Sequence, residues 1–499
     1  MRCMCPNCGR KIDSSHLTFD FTEYIGNEIK KMVTDGETRA DCEALFNDWQ
    51  ETPLLENEET LYSYPSDLNG NGGVKEKYVR YQLPYDRILK RAKSGSRNTK
   101  FIQWMEKNRE RIEKKEMSLW LRKTGDGDIK VNQVLTKDGE PVAMVRRCPE
   151  CYGVMSYWAG RYPEIALTVL GGPRTSKSTT LTACAYAFMT GNGDIRWEGA
   201  KDDKMWQFFQ KNYLDYYRKG LPIKPTDDQD DKIPKISFKV TFKNRNTPIC
   251  LTFVDIPGEF NGDQGVNQKV YQKYKNYYDN IDFIWYCTDP AEIRQLEGKA
   301  AEMEQLQSLG YERDQEIVKN PSLVSNMRNL SGFFACAERH VPVVYILGKT
   351  DSDIISEDEK QEFGLFKAGI DPVQDVLDVR RFYDQSKKVR SYIDKHNRQL
   401  LEEFENDFPD RCYIAVSAYG FYPKKNREER ELCSFNCRMP FYWMLALRNC
   451  LDIRLVVEKR GFFGRIQWEE QVHALGVFPG NIREGILNNL YMHGSNYRI

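Results

Sequence analysis

The stretch TVLGGPRTSKSTT, residues 168–180, joins an apolar run to a segment of helical character, KSTTLTACAYAFMTG. It matches the phosphate-binding loop pattern G-x-x-x-x-G-K-[S/T] at Gly171, Lys177 and Ser178, while Ser176 stands where the second glycine is expected. In this pattern, backbone N–H groups at a helix N-terminus hold the phosphates, the lysine reaches the β- and γ-phosphates, and the serine binds Mg²⁺. We expect Ser176 to lie near right-handed helical dihedrals, which serine tolerates.

From about Pro163 onwards, apolar strand candidates alternate with helical stretches. The strand candidates are residues 164–171, 235–242, 249–256, 281–288, 341–348 and 411–418. This alternation predicts an α/β domain with a mainly parallel sheet and helices on both faces, and the second and third candidates predict an antiparallel hairpin within it. We expect this domain to cover residues 156–455, with insertions, and a C-terminal extension to follow over 456–499.

Three further strand candidates end in polar residues. TFVDIPGEF places Asp255 and Gly258 after one strand, VVYILGKTDSD places Lys349 and Asp351 after another, and YIAVSAYG places Ser417 and Ala418 after the last. Ligands of open α/β sheets bind at the carboxyl ends of the strands. We therefore expect these residues to lie near the phosphate loop.

The four segments, in this order, resemble the motifs of P-loop GTPases of the TRAFAC, Ras-like type, and the resemblance covers roughly residues 160–455. It implies GTP or GDP with Mg²⁺ as ligands, the ion being held by Ser178, Asp255 and Thr226 of LPIKPTDDQDDK. It also implies that Gly258 meets the γ-phosphate and that Asp351 accepts the guanine N1 and N2 hydrogens. The backbone of Ser417 and Ala418 would contact guanine O6. The remaining candidate nucleotide contacts are Gly171, Gly172, Arg174, Thr175, Ser176, Lys177, Thr179 and Lys349.

Two departures from the family pattern bear on activity. Gly348 replaces the Asn or Thr that usually buttresses the base-binding loop, which leaves an ATPase as an alternative. Glu259 stands where Ras-like GTPases place the glutamine that orients the attacking water, and a carboxylate there would be repelled by the γ-phosphate. With Lys177, Thr226 and Glu259 as candidate catalytic residues, we expect GTP hydrolysis that is slow or depends on a partner. The other alternative is a nucleotide-binding scaffold without significant hydrolysis, which recognises nucleic acid or protein through a zinc ribbon and basic helices in the first 155 residues.

Two C-x-x-C pairs, CPNCG and CPECYG, place Cys5 with Cys8 and Cys148 with Cys151. Each pair suits a tight turn whose thiolates face one tetrahedral Zn²⁺, and two such turns close a four-sulfur structural site. Cys3 has poorer spacing as a ligand.

The Cys-Pro-x-Cys pattern of these pairs resembles the knuckles of zinc ribbons, although 139 residues separate Cys8 from Cys148. The resemblance implies a split ribbon over residues 1–155 with a charged helical insertion at about 15–123. Alternating runs around Asp138-Gly139 predict a β-hairpin over 124–147 as part of the ribbon sheet.

The formal net charge is zero, with 73 basic and 73 acidic residues, so the whole chain gives no argument for nucleic acid or an anionic membrane. The charge is uneven, however: residues 13–59 are acidic, and residues 75–123 are basic and are predicted to be largely helical. Either the two segments neutralise each other within one domain, or the basic helices form a surface for nucleic acid or an acidic partner. No motif supports nucleic-acid binding.

The cellular setting is predicted from absences in the sequence. No apolar run is long enough to cross a bilayer and the first residues lack a secretory signal, so we expect a cytoplasmic protein whose cysteines are thiols or metal ligands. A narrower resemblance is to bacterial GTPases that work in pairs, encoded in conflict or defence loci. It rests on the KPT and D-x-P-G-E segments and on MPFYWMLALRN at 439–449. It implies a second GTPase as protein partner and a role in antiviral defence.

Overall fold

The structure is a computed structural model. The residues that it describes are 2–20, 22–48, 61–63, 77–82, 85–95, 99–122, 133–136, 140–142, 145–171, 175–191, 193–201, 203–223, 235–255, 276–277, 279–294, 340–352, 354–363, 375–420, 432, 434–460 and 466–492. The chain forms two compact units, Met1–Glu164 and Ile165–Ile499. The division into domains at 155 and 455 stays a prediction.

The first unit combines short antiparallel sheets with helices. Its strands are β1 (Arg2–Met4), β2 (Lys11–Asp13), β3 (Thr18–Asp20), β4 (Leu61–Ser63), β5 (Lys77–Gln82), β6 (Glu116–Arg122), β7 (Gln133–Thr136) and β8 (Val145–Arg147). Its helices are α1 (Thr22–Met32), α2 (Gly36–Asp48), α3 (Tyr85–Ser94), α4 (Thr99–Lys107) and α5 (Arg109–Glu113). The sheets are the hairpin β1-β2 and the three-stranded sheets β4-β3-β8 and β5-β6-β7.

The predicted hairpin over 124–147 forms only around its turn, where an antiparallel bridge joins Leu135 to Pro141, because the strands on either side belong to different sheets. Strand β7 pairs with β6, whereas β8, immediately before Cys148, pairs with β3. A short turn does form locally, since Thr136 N donates to Glu140 O at 2.7 Å. The turn pair at 138–139 lies outside the described residues.

The acidic and basic segments share one hydrophobic core. Buried side chains of α1 and α2, such as Ile25 and Phe46, pack in the same cluster as Ile88 and Phe101 of α3 and α4. Ion pairs also join the two segments, with Lys115 Nζ 3.4 Å from Glu28 Oε2. These contacts favour mutual neutralisation. The basic segment is less helical than predicted, because strands β5 and β6 lie at its two ends.

The second unit is built around a larger sheet. Its strands are β9 (Glu164–Leu170), β10 (Ile195–Glu198), β11 (Lys235–Phe242), β12 (Arg245–Asp255), β13 (Phe283–Thr288), β14 (Val343–Leu347), β15 (Val376–Asp378), β16 (Arg411–Ala415), β17 (Asp452–Arg460) and β18 (Ile466–Ala474). Its helices are α6 (Lys177–Thr190), α7 (Lys204–Phe209), α8 (Asp215–Arg218), α9 (Pro290–Ile293), α10 (Glu357–Glu362), α11 (Val379–His396), α12 (Arg398–Asp407), α13 (Met439–Leu447) and α14 (Gly480–Leu490). A π-helical turn, Gln210–Leu214, joins α7 to α8.

The central sheet has the order β10-β11-β12-β9-β13-β14-β16. The pairs β9-β13, β13-β14 and β14-β16 are parallel, and β10-β11 and β11-β12 are antiparallel. The predicted α/β class with a mostly parallel sheet is thus confirmed, together with its antiparallel hairpin. Strand β9 lies between β12 and β13, so connections leave β9 and β13 towards opposite edges of the sheet, and a ligand crevice is expected at the carboxyl ends of these two strands.

Strand β10 opens an aromatic segment, residues 195–220, that continues in helices α7 and α8. Ile195 and Trp197 are buried while Arg196 and Glu198 are exposed, which is the alternation of a strand. Trp197 lies opposite Val240 of β11 and stacks on Phe188 with ring centroids 4.9 Å apart. Burial of the Trp197 indole therefore stabilises β10 as the edge strand of the sheet.

A second, smaller sheet has the order β15-β17-β18. Strand β17 runs through the expected boundary at 455, and it pairs with β15 from the stretch 352–408. Helix α13 is buried throughout, and its Trp443 Nε1 donates to Leu490 O of α14 at 2.9 Å. Among the helices of the described ranges, none is both long and apolar enough to span a bilayer.

Candidate nucleotide site and cysteine cluster

The phosphate loop begins directly where β9 ends. Gly171 has φ 141°, and a Cβ at this residue would collide with the Cys287 carbonyl of β13 and lie 2.7 Å from Thr175 Oγ1. Only glycine fits between these neighbours. The loop and the end of β13 are therefore in direct contact at the expected crevice.

Ser176 corrects the expectation of right-handed helical dihedrals. It is the N-cap of α6 with φ 64° and ψ 22°, in the left-handed region. This conformation is the one that the glycine of the pattern adopts without strain and that costs other residues about 1–2 kcal/mol. Residue 176 thus adopts a conformation that favours glycine although it is a serine.

The first turn of α6 presents the other phosphate candidates. Lys177 Nζ donates to Gly171 O at 3.1 Å, so the amino group lies over the loop. Ser178 and Thr179 are half-buried in the same turn. Gly172 and Arg174 lie outside the described residues.

Of the candidate magnesium ligands, Ser178 and Asp255 belong to the described residues. Asp255 is the last residue of β12, a neighbour of β9 in the sheet, and Thr168 Oγ1 of β9 donates to Val254 O at 2.9 Å. The backbone thus brings residue 255 to the edge that carries the phosphate loop. Thr226, Gly258 and Glu259 lie outside the described residues.

The loop after β14 meets the phosphate loop at Gly348. A Cβ at residue 348 would lie 3.5 Å from Thr175 O and 3.6 Å from Ser176 Cβ. The next residue, Lys349, is left-handed with φ 48°. Segments that are more than 170 residues apart along the chain therefore touch at one edge of the sheet.

Asp351 and Ser417 come together in the same region. The Ser417 hydroxyl interacts with the Asp351 carboxyl, and burial, the larger influence, raises the pKa of that carboxyl to about 6. The Ser417 hydroxyl also accepts from Gly420 N at 2.8 Å. Thr350 N lies 3.5 Å from Val416 O, so the two loops are also close along their backbones.

Two tyrosine hydroxyls connect the loop at 417–420 to the end of α8 and the residues that follow it. The Tyr217 hydroxyl, at the end of α8, donates to the Ala418 carbonyl, and the Tyr419 hydroxyl donates to Leu221 O at 2.8 Å. The two rings lie 5.1 Å apart. The loop at 417–420 is thereby tied to the chain that leads towards residue 226.

Two residues near these loops were missed by sequence reasoning. Asp289, after β13, forms an ion pair with Lys349, and Tyr217 binds Ala418. Asp289 had a usable signal, since it is a carboxylate at a strand end as Asp255 is. Tyr217 had none, because it lies in an aromatic helix about 200 residues before its partner.

The four predicted cysteines form one cluster in the first unit. The Sγ atoms of Cys5, Cys8, Cys148 and Cys151 all lie within 4.8 Å of one another. Two cross-pairs, Cys5 with Cys151 and Cys8 with Cys148, are 3.7 and 3.9 Å apart. A tetrahedral site with Zn–S bonds of about 2.3 Å requires sulfurs about 3.8 Å apart, so the donor set fits zinc.

The two turns of the cluster have the same backbone hydrogen bonds. Cys5 N donates to Arg10 O and Cys148 N to Gly153 O, at 2.9 and 3.0 Å. Backbone N–H groups also donate to the first sulfur of each turn, from Asn7 to Cys5 at 3.3 Å and from Glu150 to Cys148 at 3.4 Å. Such N–H···S bonds stabilise thiolate ligands.

The neighbouring thiols also favour the thiolate form at two positions. Hydrogen bonds from them, that from Cys148 being the largest, lower the pKa of Cys151 to about 7 and also lower the pKa of Cys8. The thiolate is the form that binds metal. Cys3 lies outside the cluster and its Sγ contacts Ile12 O at 3.6 Å, while burial raises the pKa of its thiol.

No model of a protein family matches the chain, and no curated protein matches it. Solved structures do. A variant of Era from Aquifex aeolicus bound to GDP·AlF4⁻ matches with 13% identity and a TM-score of 0.24, over 57% of this chain and 56% of that one. Era in complex with MgGDPNP and a segment of 16S ribosomal RNA gives the same values.

The SRb-GTP/SRX complex of the signal recognition particle receptor from Chaetomium thermophilum matches with 12% identity and a TM-score of 0.25, over 53% of this chain and 94% of that one. The chain thus spans little more than half the length of the Era chains that it matches.

Proposed function

We propose that the chain is a Mg²⁺-dependent GTP-binding and GTP-hydrolysing regulatory switch. One observation carries the proposal: the loops at 171–178, 348–351 and 417–418 converge at the carboxyl edge of the central sheet. A Cβ at residue 348 would lie within 3.6 Å of Thr175 and Ser176, and the Ser417 hydroxyl interacts with the Asp351 carboxyl. The arrangement is consistent with a P-loop GTPase fold.

The phosphates would lie at the N-terminus of α6. A helix N-terminus stabilises an anion through its backbone N–H groups and its dipole, and the Lys177 amino group donates to Gly171 O at 3.1 Å. Ser178 and Asp255, with Thr226, would hold Mg²⁺, which neutralises phosphate charge when bound. Lys177 would stabilise the charge that develops on the β- and γ-phosphates.

Guanine selection would rest on Asp351. Its carboxyl is largely ionised above pH 6, and a carboxylate accepts two hydrogen bonds from the N1 and N2 hydrogens of guanine. Adenine offers no such donor pair, so the buried carboxylate would stay unpaired beside it. Leaving a buried charged acceptor unpaired costs more than the net value of a typical hydrogen bond.

Hydrolysis would be slow in the isolated chain. Glu259 would face the γ-phosphate with a negative charge, and a partner that supplies positive charge would relieve the repulsion. A second GTPase as this partner and a role in bacterial defence rest on the sequence resemblance alone.

The cysteine cluster would hold one structural Zn²⁺. The support is the pair of 3.7 and 3.9 Å sulfur–sulfur distances and the matching turns. Four thiolates would complete the coordination and leave no position for a substrate, so the site would hold β1, β2 and β8 in place rather than catalyse.

Multiple-turnover phosphate release with GTP and with ATP tests the proposal. We expect slow release that prefers GTP and is lost in Lys177→Ala, while Lys387→Ala on the exposed face of α11 behaves as the native protein does. GTP binding without Lys177-dependent release would instead indicate a nucleotide-binding scaffold. Faster release from ATP would overturn the guanine assignment.

A further inference from the structure

The loop that would read guanine is held by an aspartate that belongs to none of the four motifs. Asp289 directly follows β13 and is buried, with 6% of its surface exposed. Its Oδ1 accepts from Ala291 N at 2.8 Å, and its Oδ2 is paired with Lys349 Nζ. One carboxylate therefore fixes the start of α9 and the side chain of Lys349 together.

Residues 348–351, called the base loop here, need such support because Gly348 has no side chain. Its N–H donates to Thr288 O at 2.9 Å. Lys349 then adopts φ 48°, a conformation that costs a non-glycine residue about 1–2 kcal/mol. An ion pair from the neighbouring strand can offset that cost, whereas in the family pattern a side chain at position 348 supports the loop.

We propose that Asp289 is a positioning residue that sets the guanine preference of the site. By fixing Lys349, it holds the backbone of residues 348–351 and so places the Asp351 carboxylate where guanine can meet it. The inference rests on the proposed function. Asp289, directly after β13, would support the base loop in place of the side chain that Gly348 lacks.

The surroundings of Gly348 offer a way to test this exchange of roles. A Cβ at residue 348 would lie 3.4 Å from Thr288 O and 3.5 Å from Thr175 O, which are ordinary contacts. A Cβ therefore fits there, beside two backbone carbonyl oxygens. Gly348→Asn should supply from within the loop the support that Asp289 gives from outside it.

The experiment measures equilibrium binding of GDP and ADP, together with the melting temperature. Asp289→Asn keeps the size of the side chain and removes its charge. Because hydrogen bonds to charged groups contribute about 1.5–3 kcal/mol, we expect GDP affinity and the GDP/ADP ratio both to fall about tenfold or more. The double variant Gly348→Asn/Asp289→Asn should have a GDP/ADP affinity ratio close to that of the native protein.

Asp282→Asn is the matched control, at the opposite end of the same strand. Asp282 also pairs with a cation, Arg448, at 2.7 Å and accepts a backbone N–H, that of Ala166, at 2.9 Å. We expect this variant to lower the melting temperature and to leave the GDP/ADP ratio unchanged.

A second variant protects the test against misfolding of Asp289→Asn. Lys349→Gln should lower the same ratio, and the double variant should be no worse than Lys349→Gln alone, because both changes remove one contact. An unchanged ratio in Asp289→Asn, or fully additive losses, would overturn the inference while leaving the proposed function standing. A native protein that binds neither nucleotide would overturn the proposed function, and the inference with it.

Discussion

The cysteine cluster and the nucleotide edge both join segments far apart along the chain, yet their turns are stabilised differently. The nucleotide edge is the part of the central sheet that carries the loops at 171–178, 348–351 and 417–418. In the cluster, each turn repeats the same local hydrogen bonds, and the left-handed position is Gly9 in one turn and Tyr152 in the other. At the nucleotide edge, the left-handed residues Ser176 and Lys349 sit in unlike loops whose contacts come from other strands. Local sequence specifies the cluster, whereas tertiary partners complete the nucleotide edge.

The largest expected effect is the loss of one sulfur from the cluster. Cys148→Ser should reduce bound zinc from about one per chain towards none, because a structural zinc site depends on all four ligands. Metal binding and folding are coupled in such sites, so the first unit should also lose several kcal/mol of its free energy of unfolding. Metal analysis and thermal unfolding measure the two effects.

Cys3→Ser is the control for this prediction. Cys3 is a buried neighbour whose sulfur contacts Ile12 O rather than the other thiols, and a serine hydroxyl can replace that contact. Its zinc content should stay near one. Full zinc content in Cys148→Ser would remove the shared site.

The next effect concerns pH at the nucleotide edge. Burial raises the pKa of Asp351 to about 6, so acid protonates the carboxyl that must accept from guanine. GDP affinity should therefore fall about tenfold between pH 7.5 and 5. The ratio of native affinity to that of Asp351→Asn cancels the protonation of the phosphates, and a ratio independent of pH would contradict the assignment.

The same shift has the opposite sign for folding. A carboxyl whose pKa is raised in the folded state favours its neutral form, so its contribution to stability is present below about pH 4 and is lost as the pH rises through about 6. Bound nucleotide should reduce this loss, because guanine would pair with the carboxylate.

Much of the second unit could be predicted from sequence, for a physical reason. Strands such as β13 and β14 are apolar runs buried on both faces, and their limits differ from the predicted ones by only a few residues. The cysteine set was also readable, because C-x-x-C spacing fixes a local turn. Strand β10 was missed, since its few residues precede an aromatic helix and its pairing with β11 is a tertiary contact.

A smaller effect tests the tyrosine contact that links α8 to the loop at 417–420. Tyr217→Phe removes only the hydroxyl that donates to the Ala418 carbonyl. One hydrogen bond to a neutral group contributes about 1 kcal/mol, so GDP should dissociate about fivefold faster. Stopped-flow release of a labelled GDP measures the rate.

Tyr213→Phe provides the control for that change. Tyr213 lies in the π-helical turn before α8, and its ring stacks on Phe209 rather than on the loop at 417–420. An equal acceleration in both variants would show that the hydroxyl of Tyr217 has no specific role.

The conformation of Ser176 shows what motif reading lacks. The pattern gave the residue types in order, but the sign of φ at residue 176 depends on how β9, the loop and α6 meet. Asp289 and Tyr217 were missed for the same reason, because their partners lie far away along the chain. At residue 176 the backbone has a conformation that favours glycine, although the side chain is that of serine.

The smallest effects compare the left-handed residues of the two regions. Ser176→Gly and Tyr152→Gly each relieve about 1–2 kcal/mol of backbone strain and lose up to about 1 kcal/mol through the freer unfolded chain. Both should therefore be slightly stabilising, by up to about 1 kcal/mol, in denaturant unfolding. Ser176→Ala keeps the Cβ and should give no gain, and a gain equal to that of glycine would contradict the assigned strain.

The central claim is that the phosphate loop and the Asp351 loop form one guanine site, and base preference tests it most directly. The measurement is equilibrium binding of GDP and of xanthosine diphosphate to native protein and to Asp351→Asn. An amide offers one acceptor and one donor, which matches xanthine, where a carbonyl replaces the 2-amino group. We predict that the native protein prefers GDP and that the variant prefers the xanthine nucleotide, with the same phosphate loop binding both. Equal loss of both nucleotides, or no change in either, would contradict the claim.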